Sequence, residues 1–150
     1  MVEITELVRC CDELLASSTF ADYCPNGLQV EGERPVGLLV SGVTASQALI
    51  DAAVERGADA LLVHHGFFWK GESPCLVGMK GRRVRTLIRN GLSLLAYHLP
   101  LDAHPEVGNN RQLARVLEIS DPSATAVADG LVWQGRIRQP VPGPAFAERI

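Results

Sequence analysis

Apolar residues along this chain fall into helical and strand-like rhythms that take turns. Ile4, Leu7, Val8, Cys11, Leu14 and Leu15 recur at helical spacing and predict an amphipathic helix over about residues 3–16, stopped by Ser17-Ser18-Thr19. Tyr23-Cys24-Pro25-Asn26-Gly27 reads as a loop, since Pro and Asn-Gly favour turns. Residues 36–43 are mostly apolar and suit a buried strand. Thr44-Ala45-Ser46-Gln47 then matches a capping box, opening a helix that Gly57 closes. A second strand covers residues 60–64, followed by a long loop over 66–81. Residues 82–90 look helical, with Val84, Leu87 and Ile88 on one face, and Gly91 ends them. Residues 92–98 form a third strand. After a loop over 100–108, Asn109 or Asn110 caps a helix carrying Leu113, Val116 and Leu117. In the tail, residues 131–133 and 136–138 predict short strands, stopped by the proline-rich run 140–144. Residues 145–150 begin a helical pattern in which Phe146 and Ile150 stand one turn apart.

Strand–helix–strand alternation favours right-handed crossovers, hence an α/β fold with a mostly parallel sheet flanked by helices. The expected division is an α/β domain over residues 1–128 and the start of a further segment over 129–150. A helix as short as the last one is marginal alone, so the chain reads as truncated at its C-terminus inside an element. With aromatics at only 5%, Leu, Val, Ile and Ala must fill the core. The net charge of −3 gives no electrostatic reason to expect nucleic acid or an anionic membrane as a partner. No apolar run approaches the ~20 residues of a membrane span. Met1-Val2-Glu3-Ile4 lacks the basic start of a secretory signal. Cys10, Cys11, Cys24 and Cys75 show no C-x-x-C spacing, and free thiols in a reducing cytoplasm are the simplest account.

The chemistry concentrates at two strand ends. Ala60-Leu61-Leu62-Val63 leads into His64-His65-Gly66, and Leu94-Leu95-Ala96-Tyr97 leads into His98-Leu99-Pro100-Leu101-Asp102. If those strands are parallel neighbours, imidazoles and a carboxylate converge on the carboxyl edge of the sheet, where ligands of open α/β sheets bind. Successive strand residues point to opposite faces. His64 and His65 therefore need the chain to curl past the strand's end, which the conformational freedom of Gly66 would permit. Pro100 bends its segment and could return Asp102 toward His98. Imidazole and carboxylate suit zinc, iron(II), manganese, cobalt or nickel. Around paired ions, such ligands would activate water and stabilise a displaced oxygen. In the bland alternative the histidines cap a strand end or bond backbone carbonyls, and Asp102 caps a turn. The joint pattern at matching strand ends favours metal.

Other candidates carry less. Gly42-Val43-Thr44-Ala45-Ser46 lacks both G-x-G-x-x-G and a P-loop lysine, so helix capping explains it. Phe67, Phe68, Trp69, Lys70 and Glu72 either line a substrate pocket or subunit contact, or pack as a surface loop. Asn26 and Gln29 offer amides for recognition, though a turn already explains Asn26. His104 sits in a polar loop and should be exposed. Arg82, Arg83, Arg85 and Arg89 form a basic helix face, ordinarily solvated but able to attract phosphate.

These residues also resemble a known family. The runs Tyr23-Cys24-Pro25-Asn26-Gly27-Leu28-Gln29-Val30-Glu31-Gly32, Ser41-Gly42-Val43-Thr44-Ala45-Ser46, Val63-His64-His65-Gly66 and Tyr97-His98-Leu99-Pro100-Leu101-Asp102 look like motifs of the NIF-three-like family, whose members are often labelled GTP cyclohydrolase 1 type 2 homologues. Phe68-Trp69-Lys70-Gly71-Glu72-Ser73-Pro74 and residues 102–110 are similar to its bacterial branch. The resemblance covers about residues 20–120. It implies an α/β fold, a dinuclear centre of divalent ions and ring-shaped homo-oligomers, commonly hexamers. It further implies His64, His65 and Asp102 as metal ligands, with His98 beside the ions as a ligand or as a catalytic acid/base. The family's carboxyl-terminal H-x-x-x-E motif has no counterpart here, since Gly108 stands where the Glu after His104 would fall. The resemblance is therefore to the family's amino-terminal portion. Two function classes follow: a metal-dependent hydrolase acting on a nucleotide or related heterocycle, or a metal-binding scaffold without catalysis.

Overall fold

Two short turns with the same chemistry hand the chain into the centre of its sheet. In the computed structural model, which describes residues 1–148, helix α2 (Gln47–Glu55) ends at Gly57, whose φ is +66°. There Ala58 N–H donates to Ala53 O and Gly57 N–H to Val54 O. Helix α3 (Gly78–Arg89) ends alike at Gly91, with Leu92 N–H on Leu87 O and Gly91 N–H on Ile88 O. Both are Schellman turns, which satisfy carbonyls that a helix end would otherwise orphan. Strands β3 (Ala60–His65) and β4 (Ser93–Ala96) start directly beyond them.

The chain divides into two compact units, residues 1–98 and the residues from 99 onward. The first holds a four-stranded sheet in the order β1-β4-β3-β2, with β1 at Gly27–Val30 and β2 at Leu39–Thr44. Strands β2, β3 and β4 run parallel, in registers such as Leu39↔Ala60 and Ala60↔Ser93. Strand β1 is antiparallel to β4, with a bulge between Leu28 and Val30. The sheet with its helices is the mixed α/β arrangement the alternation predicts. Its core is aliphatic: Ile50 and Ala53 of α2, Leu61 of β3, Leu87 of α3 and Leu94 of β4 are fully buried.

Helix α1 (Ile4–Leu15) forms as its periodicity predicts, ending where Ala16 turns left-handed. Several local readings need correction. Residues 27–30 form β1 rather than continuing a loop, because the segment after the turn finds a partner in β4. Strand β2 starts at Leu39, since Val36 instead bridges to Val2 and the N–H groups of Gly37 and Leu38 donate to Asp59 Oδ2. Ser46, not Thr44, caps α2 by accepting from Leu49 N–H at 3.2 Å, and no capping box forms because Leu49 stands where Glu or Gln would be required. Helix α3 begins four residues before Arg82. Among the described residues no helix is long and apolar enough to cross a membrane, and the four cysteines are free thiols.

The second unit opens with helix α4 (Leu99–Ala103), whose Pro100 sits in the first turn, where a missing N–H is tolerated. Helix α5 (Asn109–Val116) is preceded by Gly108 with no side-chain cap. The expected capping by Asn109 or Asn110 fails because Gly108 holds the N-cap position and both asparagines lie inside the helix, donating through Nδ2 to Asp102 and to Leu131 O. Strands β5 (Ile119–Ala124) and β6 (Trp133–Ile137) form an antiparallel pair. Strand β5 runs through Asp121-Pro122, which resembles a turn; a register shift between Ser120 and Ser123 accommodates it. The expected boundary after residue 128 falls within this unit, between β5 and β6. Helix α6 spans Gly143–Ala147, and the expected pairing of Phe146 with Ile150 lies outside the described residues.

Candidate metal centre

Because β3 and β4 are parallel neighbours, their final residues reach one edge of the sheet. Tyr97 N–H donates to Val63 O, and His98 follows at once. Potential ligand atoms of His64, His65 and His98 all lie within 4.8 Å of one another. The ring centroids of His64 and His65 are 4.4 Å apart, and His64 and His98 are 4.9 Å apart. The convergence does not use the expected curl. Strand pairing continues through His65, which sits opposite Thr44 and whose carbonyl accepts from Ala45 N–H. Nor does Gly66 adopt the left-handed region. It is needed for space: an added Cβ would stand 2.2 Å from Gln29 Oε1 and 2.7 Å from Ala96 Cβ.

Each imidazole is held at Nδ1. His64 Nδ1 lies 3.1 Å from Tyr97 O, and since a carbonyl only accepts, that nitrogen carries the proton. His98 Nδ1 lies 2.8 Å from Asp22 Oδ1, and His65 Nδ1 lies 3.2 Å from Thr44 Oγ1. A ring anchored at Nδ1 offers Nε2 as its ligand atom, the arrangement that orients metal-binding histidines. The bland and the metal readings of His64 thus both find an atom: one nitrogen bonds a carbonyl and the other is the ligand candidate. Three imidazoles with potential ligand atoms within 4.8 Å of one another suit zinc and other borderline divalent ions.

Asp22 is the residue that sequence reasoning missed. Its side chain is 2% exposed, and besides His98 it accepts from Tyr23 N–H at 2.6 Å and Asn26 Nδ2 at 3.0 Å. Nothing in its spacing points to His98, 76 positions away. Asn26 and Gln29 turn their amides inward rather than toward a ligand. Asn26 Oδ1 accepts from His98 N–H at 2.8 Å, and Gln29 Oε1 from Phe67 N–H at 2.7 Å. Cys24 is buried, with its sulfur in ligand range of Asp22 and His98. Burial, reinforced by Asp22, pushes its thiol up to about 11, so it is protonated at neutral pH. Tyr97 is buried too, and burial together with Asp12 raises its phenol far above the ordinary value. Its hydroxyl donates to Asp12 Oδ1 at 3.0 Å, tying α1 to the residue whose carbonyl holds His64.

The loop after β3 divides between packing and site. Phe67 is buried in the core, and Phe68, at φ +64°, packs against it. Trp69 stands edge-on to His98, 5.0 Å between centroids, and its indole N–H donates to Gly66 O. Glu72 accepts from Trp69 N–H and pairs with Lys80 at 3.4 Å, while Lys70 N–H donates to Tyr23 O. Only Trp69 of this aromatic run borders the cluster. His104 is half-buried rather than exposed, since its Nδ1 accepts from the N–H groups of Glu106 and Val107. Asp102 is seated in the second unit, on α4, where Oδ1 accepts from Asn109 Nδ2 at 2.8 Å.

Comparison with known proteins bears on the family and the fold. Residues 2–150 match the model of the Duf34/NIF3 (NGG1p interacting factor 3) family. The chain is similar to the GTP cyclohydrolase 1 type 2 homolog of Allochromatium vinosum, 59% identical over 150 residues, covering 100% of this chain and 59% of that protein. It is 55% identical over 151 residues to the homolog of Pseudomonas aeruginosa, covering 99% of this chain and 60% of that one. Among solved structures, the ybgI protein, of unknown function, superposes with a TM-score of 0.91 at 51% identity, covering 99% of this chain and 59% of its own. The chain thus spans about three-fifths of the length of the relatives it matches. On sequence and fold alike, it belongs to the Duf34/NIF3 family.

Proposed function

We propose that this chain carries part of a divalent-metal site in a hydrolase-like protein. The observation that carries the reading is the set of three Nδ1-anchored imidazoles with ligand atoms within 4.8 Å. His64 and His65 would hold the ion, with Asp102 as the further ligand that the family resemblance implies. When bound, a divalent ion acts as a Lewis acid and lowers the pKa of water. His98, held by Asp22, would either complete the ligand set or move a proton at Nε2. Trp69 stands edge-on beside the same ring.

In the whole protein we infer two ions per subunit, zinc, iron, manganese, cobalt or nickel, and a ring-shaped homo-oligomer, a hexamer by family resemblance, in the cytoplasm. The name carried by the relatives, GTP cyclohydrolase 1 type 2 homolog, supports a nucleotide or related heterocycle as the substrate class. The decisive experiment measures metal content of this chain and of a protein of the relatives' full length, then screens nucleotides for hydrolysis. His65→Ala should abolish stoichiometric metal, and Asp22→Asn should weaken it about 10–100-fold by releasing His98. Unchanged metal content in His65→Ala overturns the metal reading. Tight metal with a closed ligand set and no turnover would favour a non-enzymatic scaffold.

A further inference from the structure

Away from the histidines, positive charge gathers at one place in the first unit. Arg82, Arg85 and Arg89 stand three and four residues apart on α3 and therefore share a face. With Thr86 and Gln47 they line an open, solvent-facing cavity of about 300 Å³, the three arginines being exposed. Gln47 is the first residue of α2, so the positive end of that helix borders the same cavity. Its Nε2 donates to Thr86 Oγ1 at 3.2 Å, bridging the two helices, and to Asp51 Oδ1 at 2.8 Å.

The arginines have no counter-charge of their own. Helix α3 contains no acidic residue. Among the described residues none of the three arginines is in an ion pair, and Asp51, the carboxylate nearest in bonding terms, is turned to Gln47. Like charges at this spacing repel, so the arrangement is one that an isolated helix would disfavour. The chain as a whole is acidic, which makes the patch a local feature rather than general basicity.

We propose that this cavity is an anion site for the phosphate group of a small molecule, whether a phosphomonoester or inorganic phosphate. Guanidinium forks match phosphate oxygens two at a time. The Gln47 amide already donates to Thr86 and Asp51, and the Thr86 hydroxyl to Arg82 O, so the guanidinium groups supply the donors and the other two shape the floor. A cavity at the small end of ligand clefts accommodates a phosphate and little of what bears it. The site shares no residue with the histidine cluster and does not depend on the metal reading.

The test is a calorimetric titration of the intact protein with inorganic phosphate and with ribose 5-phosphate, at fixed ionic strength set by chloride. Saturable binding is expected, reduced at least tenfold by Arg85→Glu and less by Arg85→Lys, with circular dichroism confirming that both variants fold. His65→Ala should leave it unchanged, which separates this site from the histidines. Tighter binding of ribose 5-phosphate assigns a phosphomonoester, and equal binding assigns phosphate itself. A non-saturating response, equal binding by Arg85→Glu, or loss in His65→Ala alone overturns the proposal.

Discussion

The two units keep their order by different means. Residues 1–98 bury an aliphatic interior: Ile50, Leu61, Leu87 and Leu94 are wholly enclosed, and every residue of β4 is buried. The unit from 99 onward buries little beyond Pro100, Ala114 and Leu117 among its described residues, and β6 is mostly exposed. Its elements are tied by polar links such as Asn109 to Asp102 and Asn110 to Leu131 O. A packed interior holds side chains to fixed positions. The difference explains why a preorganised trio of imidazoles belongs to the first unit: His64 and His65 stand on β3, and His98 lies just past β4, strands that cannot shift without opening the core.

Removing part of that core is the severest way to break the contrast. Leu94→Ala should lower unfolding free energy by about 2–5 kcal/mol, read from denaturant melts. Gly66→Ala comes next, because its Cβ meets Gln29 Oε1 and Ala96 within β4. Overpacking of this kind costs about 1–3 kcal/mol, and metal affinity should fall with stability. Asp59 sharpens the comparison at the opposite edge of the sheet, where the strands begin. Its carboxylate accepts from Leu38 and Gly37 N–H, which hold its pKa below the usual value. A depressed carboxylate stabilises the fold above its unfolded pKa and loses that contribution as pH falls through the folded one. Asp59→Ala should therefore cost about 1 kcal/mol at neutral pH, and the gap from wild type should shrink below about pH 4. The smallest effect belongs to the second unit. Ile137→Ala, at a position 44% exposed, should change stability by no more than about 0.5 kcal/mol. A loss there comparable to that of Leu94→Ala would mean the contrast between the units is mistaken.

The parts of the molecule legible in the sequence are those written in local pattern. The runs at 60–63 and 94–96 announce buried parallel strands, and Gly57 and Gly91 announce the turns before them. The histidines were readable because they follow such runs. Strand β1 was hidden behind Pro25-Asn26-Gly27, and β5 behind Asp121-Pro122, since turn formers outweigh short strand signals until a partner strand overrides them. Asp22 was invisible for a stronger reason: its role exists only through a contact far along the chain. Gly66 was flagged for the wrong property, conformational freedom, when the constraint is the atoms packed around it.

That distant contact also sets when the site can mature. Asp22 and Asn26 precede β1, whereas His98 follows β4, and β1 pairs antiparallel with β4 at the sheet's edge. Closing so long a loop is entropically costly and comes late unless other contacts have already shortened it. A partly folded chain with β2, β3 and β4 in place would already carry all three imidazoles, but one of them would swing. On the proposed metal reading, ion affinity is thus a clock for the docking of the edge strand.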